Sequence, residues 1–315
     1  MPRPVLHRPD VLVLGAGGTL GIAWLRGVLA GIEDAAGVDW RACEHFVGTS
    51  AGSIVAASLA AGLRPGEGDD LPGELPDAVA SADRADPAKA GEVDGRWWRA
   101  ARAASAWAGA LTAPVAPAAL RVAEPGGRIV RAAVLSASPR PRRRIPELDR
   151  FLRGLGTRFD GRLRVTAVDR SNGRRVVFGA PGAPRGSVAK AVQASCAVPW
   201  LFAPVRIGDR DYVDGGVWSP SNLDVAPAGR GAEVLCLMPT ANPAAARSPF
   251  GALRAATHAA ALAEMQALRA RGARVRLIAP DAEAGRLMGA NLMDARRTGD
   301  AFRAGRAQGR RLGTG

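Results

Sequence analysis

The residues best suited to chemistry are a serine and the two glycines that flank it. Gly48-Thr49-Ser50-Ala51-Gly52 has the pattern Gly-x-Ser-x-Gly and joins a predicted strand at 45–48 to a predicted helix at 50–61. In a strained strand-to-helix turn, neighbouring backbone passes close to the positions two residues from the serine, while the hydroxyl projects into a cleft. The spacing therefore predicts that Ser50 is a nucleophile, although a serine in a small-residue turn can also be a simple helix N-cap.

A second glycine-rich turn, Gly15-Ala16-Gly17-Gly18-Thr19-Leu20-Gly21, follows a short apolar strand predicted at 11–14. It partly matches the turn that binds dinucleotides, but Leu20 stands where that fingerprint has a glycine. The next strand also lacks the acidic residue that would bind a ribose, because it runs directly into the serine turn. The other interpretation fits better: glycine amides at the mouth of a helix form an oxyanion hole.

A serine nucleophile needs a base that accepts its proton. The three histidines, His7, His45 and His258, are expected to have structural or surface roles. Asp214 begins Asp-Gly-Gly after a predicted hairpin, and a carboxyl group in a partly desolvated cleft gains basicity as its pKa rises. Two alternatives remain open. Asp-Gly-Gly is also common in surface turns, and the order Ser50, Asp214, His258 also suits an α/β-hydrolase triad.

The elements that must position these residues alternate between strands and helices. This pattern predicts a three-layer α/β/α fold with a mainly parallel central sheet. Residues 1–315 are expected to form a single domain, with 62–127, rich in Pro, Gly and acidic residues and then basic, as an insertion or lid. The remaining predictions are hairpins at 163–179 and 205–213, helices at 22–35, 187–197 and 250–271, strands at 233–238 and 274–279, and an arginine-rich C-terminal helix.

Composition excludes several classes of protein. A chain of 315 residues with 47% hydrophobic side chains can bury a large core, so it is not a disordered chain. Its three cysteines contain no Cys-x-x-Cys pair, which excludes a disulfide framework and a zinc site of ordinary spacing, and no metal or other cofactor is expected. No apolar run approaches the roughly 18 residues of a membrane-spanning helix. We therefore expect a cytoplasmic protein.

The net charge of +14 does not indicate a nucleic-acid partner. Of the 43 basic residues only Lys89 and Lys190 are lysines, and the arginines are spread along the chain as a general compositional bias. Two segments nevertheless suit a membrane surface. They are the basic run Arg140-Pro141-Arg142-Arg143-Arg144 and the tryptophan-bearing stretch at 96–107. The alternatives are a solvated basic turn and a helix that packs its tryptophans on the domain.

The two turns and the late Asp-Gly-Gly together resemble the patatin-like phospholipase family of serine lipid acyl hydrolases. The stretch Ala194–Pro204, followed by a hairpin that leads into Asp214-Gly215-Gly216 and then Asn222, is also similar to the family's sequence before its catalytic aspartate. The resemblance is close over 10–62 and 187–224. It implies a patatin-like fold and a Ser50–Asp214 dyad, with an oxyanion hole formed by the amides of Gly17, Gly18 and Thr19.

The resemblance also implies a reaction. Phospholipase A or lysophospholipase activity on a phospholipid or another acyl lipid is expected, through an acyl-enzyme on Ser50. Two departures stand in the first turn, where Ala16 replaces a glycine and Leu20 replaces a basic residue that the family commonly has. The alternatives are an esterase or thioesterase for soluble substrates, and a catalytically impaired, membrane-associated binding protein.

Overall fold

The computed structural model describes residues 7–66, 124–138, 140–241, 251–289 and 291–314. Its strands and helices, in chain order, are β1 (Val11–Leu14), α1 (Gly18–Ala36), β2 (His45–Gly48), α2 (Ala51–Ala60), α3 (Glu124–Ala137), α4 (Pro146–Gly154), β3 (Leu163–Asp169), β4 (Arg175–Phe178), α5 (Val188–Ser195), β5 (Val205–Ile207), β6 (Arg210–Asp214), β7 (Glu233–Leu237), α6 (Gly251–Ala270), β8 (Arg274–Ile278), α7 (Ala282–Met288) and α8 (Thr298–Gly313). Short 3-10 helices cover Gly215–Val217 and Leu223–Val225.

The strands of the described residues form one eight-stranded sheet. Its order is β5-β6-β3-β2-β1-β7-β8, and β4 also pairs with β3. The pairs among β3, β2, β1, β7 and β8 are parallel, whereas β4, β5 and β6 pair antiparallel. A mainly parallel sheet is therefore confirmed, and both predicted hairpins lie in its antiparallel part.

Helices cover both faces of the sheet, as the three-layer prediction requires. Along β1 the side chains alternate: Leu12 and Leu14 belong to one apolar cluster, and Val11 and Val13 belong to another. The first cluster includes residues of α1, α2, α5 and α8, and the second includes residues of α6. A strand that is apolar on both faces is typical of a buried parallel sheet.

Two chain segments meet along β3. The first part of β3 pairs with β2, where Gly48 lies opposite Val165, and its last part pairs with β6, where Asp214 lies opposite Ala167. The end of β6 is thus placed two β3 residues beyond the end of β2. This register brings the serine turn and the Asp-Gly-Gly turn together, although 163 residues lie between Ser50 and Asp214 in the sequence.

Hydrogen bonds show that β2 and β6 use the same edge of β3. Consecutive residues of a strand direct their main-chain groups to opposite edges. The carbonyl of Arg162 accepts the N–H of a β2 residue, and the N–H of Arg170 donates to the carbonyl of a β6 residue. The N–H of Asp169 donates instead to the carbonyl of the residue that precedes β4. Because Arg162 and Arg170 are an even number of residues apart, their groups point the same way. Strands β2 and β6 therefore pair with the same edge of β3, one after the other along that strand.

Helix α1 begins at Gly18, four residues before the predicted start at Ile22. The predicted start lies too far along the chain because glycine is a weak helix former and interrupts the helical pattern of apolar residues. Tertiary contacts fix the first turn of the helix. The last part of the predicted insertion, from Glu124, belongs to α3. The stretch at 96–107 and most of the predicted insertion lie outside the described residues, so the single-domain and lid predictions stay predictions.

Candidate active site

Ser50 lies in a strained turn between β2 and α2. Its φ of 51° and ψ of −120° fall in a region that residues with a side chain rarely adopt. The side chain makes no capping hydrogen bond to the helix, so the N-cap alternative does not explain this conformation. Only 9% of the residue is exposed. Strain at a buried polar residue is typical of functional sites, where the surrounding structure holds the conformation.

The two glycines of the turn are required by close backbone approaches. A Cβ atom on Gly52 would overlap the carbonyl oxygen of Leu14 at the end of β1, and one on Gly48 would overlap the Cα atom of Ser53. These close approaches explain why glycine occupies both flanking positions of the Gly-x-Ser-x-Gly motif.

Hydrogen bonds fix the turn from three sides. The N–H of Thr49 donates to the carbonyl oxygen of Leu14 at 3.0 Å. The N–H of Ser50 donates to the hydroxyl of Ser195 at 2.8 Å, and the hydroxyl of Ser53 donates to the carbonyl of Ser50 at 2.6 Å. The end of β1, the end of α5 and helix α2 therefore all hold the serine turn in place.

Asp214 is buried beside Ser50, at the end of β6. Its N–H donates to the carbonyl of Ala197 at 3.0 Å, and its Oδ1 accepts the N–H of Gly216 at 2.7 Å. Burial raises the pKa of the carboxyl group to about 7, and hydrogen bonds from Gly216 and from the Ser50 side chain act in the opposite direction. The predicted pair is thus in contact, and Asp-Gly-Gly is not a surface turn here.

The first glycine-rich turn leaves three amides available next to the serine turn. Leu14 lies opposite Gly48 in the sheet, so the two turns leave neighbouring strands at the same end. Ala16 and Leu20 donate their N–H groups to Pro220 and Leu292. Within the described residues, the intervening amides of 17–19 donate to no protein acceptor. The first N–H groups of a helix are unpaired and attract negative charge, as an oxyanion hole requires.

The side chain of Leu20 is fully buried in the core cluster that contains residues of α1 and α2. The leucine at the position where the family commonly has a basic residue thus adds apolar core. Thr19 is also buried, and its hydroxyl has no hydrogen-bond partner among the described residues.

Asn222 connects the two candidate catalytic turns. Its Nδ2 donates to the hydroxyl of Thr49 at 3.1 Å and to the carbonyl of Gly215 at 3.3 Å. The first of these precedes the serine, and the second follows the aspartate. The hydroxyl of Thr49 also lies 2.8 Å from that of Thr166 on β3. The buried asparagine, with a φ of 47°, therefore links the turn of the candidate nucleophile Ser50 to the turn of its predicted partner Asp214.

Arg175 fixes the orientation of this amide. Its Nη1 donates to Oδ1 of Asn222 at 3.0 Å, and its two terminal nitrogens also contact the carboxylate of Asp224 at 2.7 and 2.6 Å. A guanidinium group only donates hydrogen bonds, so the amide oxygen must face it and the NH₂ group must face the two turns. A two-nitrogen contact with a carboxylate is also geometrically specific.

Glu264 on α6 holds the loop that follows Asp214. Its Oε2 accepts the hydroxyl of Ser221 at 2.5 Å and the N–H of Leu223 at 2.8 Å. Burial and the nearby Asp224 carboxylate raise the pKa of Glu264 to about 7. Sequence reasoning missed Glu264 and Arg175, because no local motif marks either residue and each is more than 35 residues from the loop that it supports.

The described histidine side chains lie away from the serine. His7 is largely exposed and forms an ion pair with Glu233, and His45 begins β2, at the opposite end of the strand from Ser50. His258 lies within α6, as predicted, but its side chain is outside the described residues. Neither described histidine can serve Ser50 as a base, and both the Ser50–Asp214 dyad and the triad with His258 stay predictions.

Two features of the described residues bear on cofactors and membranes. Side chains of His, Cys, Asp and Glu form no group of three or more there that could hold a metal ion. None of the helices in that part of the chain has the length and apolarity needed to cross a bilayer.

The chain is similar to a solved structure and to a family of known proteins. The chain is similar to the crystal structure of VipD from Legionella pneumophila, with 16% identity and a TM-score of 0.41, over 98% of this chain and 67% of that one. No curated protein matches it. The family model for patatin-like phospholipases matches residues 12–227, more than half of the chain, and this range contains both turns and Asp214. The chain therefore belongs to the patatin-like phospholipase family.

Proposed function

We propose that this protein is a serine acyl-ester hydrolase for lipids, of the phospholipase A or lysophospholipase type. Members of its family are generally lipid acyl hydrolases. The observation that carries the proposal is the pairing of a serine in a strained turn with a buried carboxyl group whose pKa is about 7. At neutral pH such a carboxylate is ionised in a large fraction of molecules and is a stronger base than an exposed aspartate.

In the proposed reaction, Ser50 attacks the ester carbonyl and its proton moves to Asp214. The amides of Gly17, Gly18 and Thr19 donate to the oxygen of the tetrahedral intermediate. When that intermediate collapses, the C–O bond to the leaving alcohol breaks, Asp214 returns the proton to the alcohol, and an acyl ester of Ser50 remains. A water molecule, deprotonated by Asp214, then attacks the acyl carbonyl. The bond from that carbon to Oγ of Ser50 breaks, Asp214 returns the proton to Ser50, and the fatty acid is released.

We propose that the substrate is presented in a lipid aggregate and that the protein acts in the cytoplasm as a peripheral membrane protein. Hydrolysis of a short-chain phosphatidylcholine should therefore rise sharply as its concentration crosses the micellar threshold. Rates measured on both sides of the threshold, with a soluble short-chain ester and a thioester for comparison, test this. A rate that follows simple saturation through the threshold would support the soluble esterase or thioesterase instead.

The binding-protein alternative has its own signature. If neither the native protein nor Ser50→Ala hydrolyses any of these substrates, and both bind phospholipid vesicles equally, the fold serves lipid binding without catalysis.

The link formed by Asn222 leads to a prediction about catalysis. Asn222→Ala should lower kcat on the order of 100-fold with little change in KM, because a small displacement between reacting groups costs about that much. Arg175→Gln should lower kcat by less than Asn222→Ala does, because the amide of Asn222 remains but its orientation is no longer fixed. Arg164→Gln is the matched control, since this neighbouring arginine bonds the carbonyl of Val225 and does not touch the amide. Equal losses in Arg164→Gln and Arg175→Gln would contradict a specific role for the link.

A further inference from the structure

The basic run at 140–144 belongs to no helix or strand, and exposed and partly buried residues alternate along it. Arg140, Arg142 and Arg144 are exposed, whereas Pro141 and Arg143 between them are partly buried. None of the three exposed arginines has a carboxylate partner among the described residues. Unpaired cations of one sign along a strip are complementary to a negatively charged surface.

An apolar loop lies directly beside this strip. The N–H of Ala203 donates to the main-chain carbonyl of Arg143 at 2.7 Å, which ties the strip to the loop at 198–203. Val198 is 36% exposed, and Trp200 and Leu201 are partly exposed. Trp200 also has a φ of 67°, which is rare for a residue with a large side chain. Aromatic and aliphatic side chains next to arginines are typical of a surface that meets lipid head groups.

The same loop is attached to the candidate active site. Its start follows Ala197, whose carbonyl accepts the N–H of Asp214. The residue two positions earlier, Ser195, accepts the N–H of Ser50. A surface that meets lipid at 198–203 would therefore hold the mouth of the site close to the bilayer.

We propose that the three exposed arginines and the loop at 198–203 form one docking surface for an anionic phospholipid bilayer. The inference rests on the proposed function in that a hydrolase of aggregated lipid must reach its substrate at an interface. The arginines attract the negative head groups, the loop inserts its apolar side chains among them, and the catalytic pair lies behind the loop. This surface thus assigns a function to a basic run that hydrolysis itself does not require.

The test compares vesicle binding by two triple variants in a Ser50→Ala background, so that no lipid is consumed. Arg140→Gln/Arg142→Gln/Arg144→Gln removes the strip, and Arg303→Gln/Arg310→Gln/Arg311→Gln removes the same charge from exposed positions of α8, which packs beside α1. With vesicles of phosphatidylglycerol and phosphatidylcholine at low salt, the strip variant should bind on the order of 100-fold more weakly, and the α8 variant should bind nearly as well as its parent. Binding to pure phosphatidylcholine should be weak for all.

A second variant tests the apolar part of the surface. Val198→Ser should weaken binding to the anionic vesicles several-fold and should leave hydrolysis of a soluble short-chain ester unchanged when Ser50 is present.

Several outcomes would overturn the surface. They are equal binding by the strip and α8 variants, equal binding to neutral and anionic vesicles, or loss of soluble-ester hydrolysis when the three strip substitutions are made in the protein that keeps Ser50, which would make the strip part of the fold. Retained vesicle binding with lost binding to a soluble polyanion such as heparin would assign the strip to a different class of ligand. Absence of hydrolysis by the native protein would contradict the proposed function but would leave the vesicle result interpretable, so the two failures are distinguishable.

Discussion

Replacing Asp214 with asparagine should lower kcat for ester hydrolysis by about 10²- to 10⁴-fold, which is the usual contribution of a general base. The amide has nearly the same shape and can still accept the N–H of Gly216, but it cannot take the proton of Ser50. Steady-state kinetics with a soluble short-chain ester measure the effect without contributions from vesicle binding. In the native protein, kcat/KM should increase with pH and level off above about pH 7, because the carboxyl group must be ionised to act.

The same substitution should make the folded protein more stable at high pH. The pKa of Asp214 is about 7 when folded, against 3.8 for the ordinary group, so the folded state binds this proton more tightly than the unfolded state does. The native protein therefore loses stability as pH rises from about 4 to about 7, whereas the asparagine variant does not. This difference in pKa corresponds to a loss of at most about 4 kcal/mol in the free energy of unfolding of the native protein at pH 8.

Unfolding in urea at pH 5 and pH 8 measures this difference. The advantage of Asp214→Asn over the native protein should grow between the two pH values, and the comparison cancels the titration of Glu264, which is present in both proteins. His258→Ala is the control for the catalytic role. An inactive but folded His258→Ala protein would reject the dyad and support the triad of Ser50, Asp214 and His258.

Ser50→Ala should abolish hydrolysis, with a loss of about 10⁵-fold or more in kcat, since no other group can form the acyl ester. The hydrogen bonds that hold the turn come from main-chain atoms of residue 50 and from its neighbours, so the variant should fold with an unchanged unfolding midpoint. Ser58→Ala is the matched control, because Ser58 lies on the same helix α2 and its hydroxyl donates to the carbonyl of Ile54 within that helix. Substantial residual hydrolysis by Ser50→Ala would assign the nucleophile elsewhere.

The sequence was sufficient for the parts of the site that local geometry dictates. The glycines of the serine turn are needed by backbone contacts within a few ångströms, and such contacts leave a fixed spacing in the chain. Asp214 was recognisable for a similar reason, because two glycines and a hairpin strand surround it. The alternation of strands and helices likewise indicated the layers of the fold.

The supporting residues could not be predicted in this way. Arg175 meets Asn222 only because β4 pairs with β3, and Glu264 reaches the same loop only because α6 packs on the sheet. These contacts depend on tertiary packing, and a lone arginine or glutamate in the sequence is usually a solvated surface residue.

The packing of α8 on α1 gives a similar lesson. Glycines in these helices, such as Gly31 and Gly309, lie where a Cβ atom would overlap main-chain atoms of the other helix. In the sequence they only weaken the helical pattern. In the structure they allow the main chains of the two helices to contact each other directly.

The most direct test of the proposed nucleophile is labelling of the purified protein with a fluorescent fluorophosphonate, which forms a covalent bond to an activated serine with loss of fluoride. It requires no knowledge of the natural lipid. The native protein and Ser58→Ala should label, Asp214→Asn should label far more slowly, and Ser50→Ala should not label. Labelling of Ser50→Ala at the native rate, or no labelling of a folded native protein, would contradict the assignment of Ser50 as an activated nucleophile.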